Sequence, residues 1–589
     1  MRRESISGNG AIRRLAVLLL LGLATLPAEN GPRPRLLPGQ WPKQELNHYL
    51  ALENEWGRPQ PEAVASKAMI AGTTGPLAIH AGFQALRQGG TAADAAITTA
   101  LAQIALSAGG AISYAGMMTV VYYDAKTART YTLNAAYNTV RNERTPRTIP
   151  GKGGHSGRTA LVPGFMAGVE TLHQRFGRLR FGTLFGPAIW IAAHGLAVSP
   201  PVGDWLVSEK QYITRLPEGR RIFTKPDGVM YRTGDLLRQP DLAKTLKQVA
   251  KHGSAYMYTG KWGRQFVDAV QREGGTMTLD DLAAYRANWT EPLETSFHDY
   301  RVVSLGPPSK GGLITLGALK FAEAADLRRY GHYTRSADTL YYLIQMVRIG
   351  KMFATMSPVM LANYFPGVDP SPEARLTQIT AQRIWTYIQK DLNRPAGGPP
   401  AGPNHSTVVV AVDEQGNVAT ILHSCNCNIW GTSGIFVDGV SIPDSASIQQ
   451  AEVAAARPGG RLSDTTNPVI VLKSGQPVLA SSAMGFGLHE TTVLNLVNIL
   501  NFGMDPKKSV EQPNFRGASP TEYRNELIGE GDFSPAVLQG LRARGQPVQI
   551  APKDNPYGAG YWIGIQIDRL HGRLAAGLTS NMNARAEGY

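Results

Sequence analysis

The chain has 589 residues, 43% of them hydrophobic and 18% charged, with a formal net charge of +14. Such a length and apolar share allow a large buried core. The basic residues are scattered, with no stripe interleaved with aromatics, which argues against a nucleic-acid partner. Two cysteines are too few for a disulfide framework.

Residues 1–28 read as an export signal, with Arg2, Arg3, Arg13 and Arg14 before an apolar run, Leu15–Leu26, and a small-residue exit at Pro27-Ala28. Arg13-Arg14 beside the run fits twin-arginine export. The run is shorter than the roughly 20 residues of a spanning helix. No later segment qualifies, so a periplasmic or secreted protein without stable membrane insertion is expected. Ala81–Ala105 carries apolar residues at helical spacing, with Gly89-Gly90 breaking it into two helices. Met117–Tyr123 reads as a strand ending at an Asp124-centred turn, and Arg158–Ser199 as helices separated by glycine turns. Asp280–Asn288 has the acidic start of a short helix. A strand at Tyr300–Leu305, a loop at Gly306–Gly312 and a helix at Leu313–Ala325 follow.

Pro395–Asn404 is the sharpest change of composition, a Pro/Gly-rich stretch expected to be exposed and flexible. Thr407–Val412 and Val418–His423 then read as a hairpin about Gly416-Asn417, with Asp413 in a turn role. Cys425 and Cys427 are two apart. A bridge between them would be strained in an extended segment, so two buried thiols on one strand face are expected. Val469–Leu472 and Val478–Ser481 predict another strand pair, with a helix over Thr491–Phe502. Strand layers with helices before and after predict an α+β fold, either a mixed packing or a four-layer sandwich. No repeat, metal-ligand cluster or phosphate-cradling loop stands out.

Ser406-Thr407 stands at the head of the hairpin, directly after the flexible stretch. A serine hydroxyl needs a base to act as a nucleophile, and the chain has no G-x-S-x-G elbow. An N-terminal serine carries its own base, because its α-amine has a pKa of about 7.7–8.0. The Ser406 hydroxyl would attack the His405 carbonyl, and water would hydrolyse the resulting ester. That chemistry requires no metal or organic cofactor. It divides the chain into a large fragment, 29–405, and a small fragment, 406–589.

Several blocks in order resemble the gamma-glutamyltransferase family of N-terminal nucleophile hydrolases. They are Gly89–Leu101, Val162-Pro-Gly164, Arg175-Phe-Gly177, Gly186-Pro-Ala-Ile189, Asp281-Leu-Ala-Ala-Tyr285, Pro307–Gly312, Asn501-Phe-Gly-Met504 and Gly588-Tyr589. The resemblance spans roughly residues 65–589 and implies a four-layer αββα sandwich. It places Ser406 on the family's catalytic threonine, with Thr407 the rival if the register slips by one. It also places Ser424 and Asn426 beside the nucleophile, sharing one strand face, and Gly485-Phe486 on the oxyanion hole. The family histidine two residues after the nucleophile is Val408 here.

The departures fall on the substrate handles. Where the family has an arginine for the glutamate α-carboxylate, this chain has Ala136, followed by Tyr137. A methyl group cannot replace a bidentate guanidinium. The family's Asn-Asn-x-x-Asp region for the substrate α-amine is also missing: its counterpart is Ile442–Ile448, with Asp444 and Ser445, and the family's Ser-Ser pair is Ser463-Asp464 here. The resemblance therefore implies a self-processing amidohydrolase or acyltransferase acting on a small-molecule or peptide amide with a non-glutamyl acyl group. The alternative is a binding protein that kept the fold and lost turnover.

Overall fold

Largely continuous apolar runs build the central strands of two sheets whose faces are both covered. The computed structural model describes residues 35–371, 373–390, 406–517, 526–552 and 560–589. The expected export signal, the Pro395–Asn404 stretch and His405 lie outside them. The strands are β1 (Ala63–Ala65), β2 (Met69–Gly72), β3 (Met117–Asp124), β4 (Arg129–Ala135), β5 (Asn288–Thr290), β6 (Pro292–Phe297), β7 (Tyr300–Leu305), β8 (Ser406–Val412), β9 (Val418–Ser424), β10 (Val469–Lys473), β11 (Gln476–Met484), β12 (Tyr561–Asp568), β13 (Arg573–Leu578) and β14 (Arg585–Gly588). One sheet has the order β14-β2-β8-β9-β3-β4-β5 and the other β1-β13-β12-β11-β10-β7-β6. Every pairing in both is antiparallel.

The period-2 alternation of β8 assigns the layers. Val408, Val410 and Val412 enter the core between the sheets, with Val303, Ile470, Ile563 and Ile565 of the opposite sheet. Fully burying each valine contributes roughly 1.5–3 kcal/mol. Val409 and Ala411 point the other way, into the core formed with α1 (Pro76–Arg87), α2 (Ala92–Leu106) and α3 (Phe165–Phe176). On the far side, Val302, Val469, Val471 and Trp562 pack against α4 (Gly311–Ala325), α5 (Ala337–Thr355) and α6 (Leu488–Leu500). The result is the four-layer αββα sandwich. No helix among the described residues is long and apolar enough to cross a membrane.

The corner between α1 and α2 explains the Gly89–Leu101 motif. A Cβ on Gly90 would lie 2.7 Å from the Ala85 carbonyl. Thr91 then caps α2 in a capping box with Asp94. Asp94 also accepts from the amides of Arg178 (2.9 Å) and Leu179 (3.1 Å), tying α2 to the chain beyond α3. At Gly82 a Cβ would sit 2.1 Å from Thr99 Oγ1, so only glycine lets the two helices cross there.

The hairpin β8–β9 forms as expected. Gly416 takes φ +91, and Asp413 accepts from the Asn417 amide at 2.9 Å and from Asn417 Nδ2 at 2.8 Å. The same carboxylate accepts from the Ala92 amide at 2.9 Å, at the first turn of α2, where negative charge is favoured. Two helices start earlier than their sequence predicts. α4 begins at Gly311 rather than Leu313, because a residue without a Cβ fits against the Thr466 carbonyl, which an added Cβ would meet at 1.9 Å. α6 begins at Leu488 rather than Thr491, straight after Gly487.

The expectation for the cysteines is overturned. Cys425 and Cys427 form a disulfide rather than standing as two thiols. The physical reason is that the strand ends at Ser424 and Asn426 takes φ +44, a left-handed value that asparagine tolerates. The segment is therefore not extended, and the two Cα atoms lie 5.2 Å apart, within bridging range.

Candidate active site

Ser406 is the first residue of β8, and its register partner is Ser424, the last residue of β9. Both lie on the inter-sheet side, in phase with Val408 and Leu422. The Ser406 hydroxyl donates to Ser424 Oγ at 3.0 Å. Ser424 in turn donates to Asn426 Oδ1 at 3.2 Å and accepts from the Asn426 amide at 2.9 Å. Thr407, one residue on, is in phase with Val409 and faces the helical layer. Alternation thus separates the two rival hydroxyls onto opposite faces of the sheet. The strand's head is held by Thr73, whose Oγ1 accepts from the Val408 amide at 3.0 Å and whose amide donates to the Val408 carbonyl at 3.1 Å.

Ser424 and Asn426 do come together, but not by sharing a strand face. Asn426 lies beyond the strand, and its left-handed backbone folds it back onto Ser424. It is also the one residue between Asn417 and Val437 that is not buried. Its Nδ2 reaches Met117 Sδ at 3.4 Å.

Gly485 and Phe486 join β11 to α6. Gly485 has φ +89 and Phe486 is half-buried, with the Arg516 guanidinium 5.6 Å from its ring centroid. The amides here precede the N-terminus of a 13-residue helix, where N–H groups lack intrahelical acceptors and carry the positive end of the dipole. β11 packs across the inter-sheet layer from both β8 and β9.

The other sequence-derived residues, apart from the half-buried Ser463, are enclosed, and their side-chain polar atoms bond to protein groups. Ala136 is buried, and its carbonyl accepts from the Tyr285 hydroxyl at 2.6 Å and from Arg461. Arg461 also donates to the Arg286 carbonyl and lies over the Tyr285 ring at 4.6 Å. Tyr137 is buried and donates its hydroxyl to the Cys425 carbonyl at 2.8 Å. Ser445 donates to the same oxygen at 2.6 Å. Asp444 accepts from the amides of Asn428 and Thr432 and from both of their side chains.

Ser463 donates to the Pro308 carbonyl at 2.8 Å. Asp464 is 3% exposed and accepts from Ser309 Oγ at 2.9 Å, from the Thr466 amide at 3.0 Å, from Thr466 Oγ1 and from Asn134 Nδ2 at 3.3 Å. Burial pushes its carboxyl above the usual range. His423 is buried on the helical side, 3.0 Å from Gln103 Oε1, and desolvation lowers its pKa to about 3. It is therefore neutral and, on the face opposite Ser406, not aligned as that hydroxyl's base.

Comparison with known proteins bears on this arrangement. Residues 78–579 match the family described as gamma-glutamyltranspeptidase. The chain belongs to the gamma-glutamyltranspeptidase family. It is 25% identical to the glutathione hydrolase proenzyme of Escherichia coli (strain K12), over 82% of this chain and 86% of that one. It is 27% identical to the acylase ACY 1 proenzyme of Pseudomonas sp. (strain SE83), over 83% and 89%. The cephalosporin acylase of Bacillus halodurans superposes with a TM-score of 0.75 at 22% identity, covering 90% of this chain and 97% of that one. The chain is accordingly an amidohydrolase or acyltransferase of the N-terminal nucleophile type.

Within this gamma-glutamyltranspeptidase scaffold, several site-forming residues escaped the sequence reading. Thr73 and Arg461 lie far in sequence from what they hold, so no local pattern marks them, and the Asp281–Tyr285 block gives no sign that Tyr285 bonds to the Ala136 carbonyl. The disulfide did leave a mark, the Cys-Asn-Cys spacing, and asparagine at its centre was the cue for a left-handed turn.

Proposed function

We propose that the chain is a precursor cut between His405 and Ser406, that Ser406 then serves as nucleophile, and that the acyl group it accepts is not γ-glutamyl. The carrying observation is the Ser406–Ser424–Asn426 hydrogen-bonded chain at the head of a central strand, with Thr407 turned to the other face. In processing, Ser406 Oγ attacks the His405 carbonyl carbon, the C–N bond breaks, and the Ser406 amine is released. Water then hydrolyses the ester. In turnover that amine takes the Oγ proton as Oγ attacks the substrate amide. The leaving amine departs with the proton, and water or an acceptor amine removes the acyl group. The amides at Gly485-Phe486 would receive the developing oxyanion, a role in which one lost donor typically costs 100- to 1,000-fold in rate.

Ala136 supports the specificity reading, because it offers no cation for an α-carboxylate, and the neighbouring Arg461 is engaged by two carbonyls and a phenol. The proenzyme names of the glutathione hydrolase and acylase relatives support processing. The Cys425–Cys427 bond supports export, since disulfides persist in oxidising compartments. The decisive experiment pairs a denaturing gel with N-terminal sequencing. Two fragments, the smaller beginning at Ser406, are expected. A single intact chain would favour a binding protein, and a fragment beginning at Thr407 would move the nucleophile by one. Turnover of γ-glutamyl-p-nitroanilide at rates typical of a glutathione hydrolase would sink the specificity claim.

A further inference from the structure

The disulfide lies in the loop that completes the candidate site. Its two sulfurs bracket Asn426, the residue whose side chain and amide both meet Ser424. The loop is held from behind by groups that hydrogen-bond to its backbone. Tyr137 and Ser445 both donate to the Cys425 carbonyl, at 2.8 and 2.6 Å. Gln449 Nε2 reaches the Asn426 carbonyl at 3.5 Å, and the Asn428 amide donates to Asp444 at 3.1 Å. On its inner side the Ser424 carbonyl presses on Gly116, where an added Cβ would lie 2.5 Å away. The only side chain in this loop left partly open is Asn426.

We propose that the Cys425–Cys427 disulfide is a clamp that positions the nucleophile. Joining the two flanking side chains holds Asn426 in its left-handed turn. That turn places the Asn426 amide 2.9 Å and Oδ1 3.2 Å from Ser424 Oγ, which fixes the hydroxyl that accepts from Ser406. Without the bond, residues 425–427 are free to extend as a continuation of β9, and period-2 geometry then takes Asn426 away from the turn it now makes. Tyr137 and Ser445, which hold the Cys425 carbonyl, act as positioning residues through the same loop rather than as substrate handles. This inference rests on the reading of Ser406 as the nucleophile, and its test separates the two.

The precursor is its own first substrate, so processing needs no knowledge of the acyl group. The full chain is synthesised cell-free, pulse-labelled, and chased either with oxidised glutathione or with dithiothreitol. Each bond formed consumes two thiols and reduces one oxidised glutathione to two glutathione thiols. The gel reads the rate of the cut, and mass spectrometry after iodoacetamide reads the state of both cysteines. Wild-type chain is expected to be cut at least ten-fold faster when the bond is formed. The C425S/C427S variant should be slow in both conditions and insensitive to redox state. Thermal melts of the same chains separate positioning from general destabilisation, which would lower the melting temperature along with the rate; a rate loss fully accounted for by a fall in melting temperature overturns the clamp. If the variant fails to accumulate in soluble form, the wild-type comparison in the soluble fraction still decides. A cut that is equally fast in both conditions overturns the clamp and leaves the Ser406 reading standing. Absence of any cut in wild type sinks both.

Discussion

The two ends of the β8–β9 hairpin are built from the same kinds of residue to opposite effect. At the turn, Asp413 and Asn417 bond to one another, and Asp413 also bonds to the start of α2. At the open end, Ser406, Ser424 and Asn426 form a chain that finishes on a partly exposed amide. Polar groups near a sheet end hold structure when their partners close a ring, and are available for chemistry when the chain of partners leads outward. The disulfide adds to this contrast, because closing a loop of about three residues restricts the unfolded chain by only roughly 1.5 kcal/mol. Its effect is local, at the open end.

Substitutions at either end sharpen the difference. The largest effect is expected for Ser406→Ala, which should leave the precursor uncut on a denaturing gel, while Thr407→Ala is still cut. Next, Ser424→Ala should slow the cut by about 10- to 1,000-fold with little change in denaturation midpoint, since losing an oriented hydrogen-bonding partner at a reacting group has consequences of this order. Asp413→Ala should do the reverse. It leaves buried donors at Ala92 and Asn417 unpaired and should destabilise by about 2–3 kcal/mol in chemical denaturation, with processing intact at temperatures where the chain stays folded.

A further effect concerns pH. His423 titrates near 3 in the fold against about 6.5 in an unfolded chain. Between those values the unfolded state binds more protons, so stability falls as pH drops, by up to about 1.4 kcal/mol per unit. His423→Gln should flatten that part of the acid-denaturation profile. An unchanged slope would place the acid sensitivity elsewhere, with His489, whose pKa burial also lowers, the first residue to try.

Local rules carried much of the fold. Gly89-Gly90 marks the break between α1 and α2, Gly416-Asn417 marks the hairpin, and the valine-rich run up to Val412 marks β8. What failed was anything decided by a distant neighbour. Gly311 opens α4 early only because the Thr466 carbonyl lies against it. Asp464 stands in its sequence context as a free acid, whereas in the structure four donors from three segments enclose it. The cysteine pair reads as two thiols only if β9 continues in extended form through residue 427. Its departure from the strand follows the left-handed backbone at Asn426, beside a Cys425 carbonyl that accepts from Tyr137, far upstream, and Ser445, twenty residues downstream.

Sheet order has a last consequence. β2, from the part before Ser406, is inserted between β14 and β8, both from the part after it, and the second sheet likewise mixes strands from the two sides. A cut at residue 406 would therefore yield two polypeptides neither of which owns a complete sheet. Such a pair would be held by interlocking rather than by affinity between finished surfaces. Once unravelled it would have no single chain along which to find its way back, so its lifetime would be set by the height of the unfolding barrier.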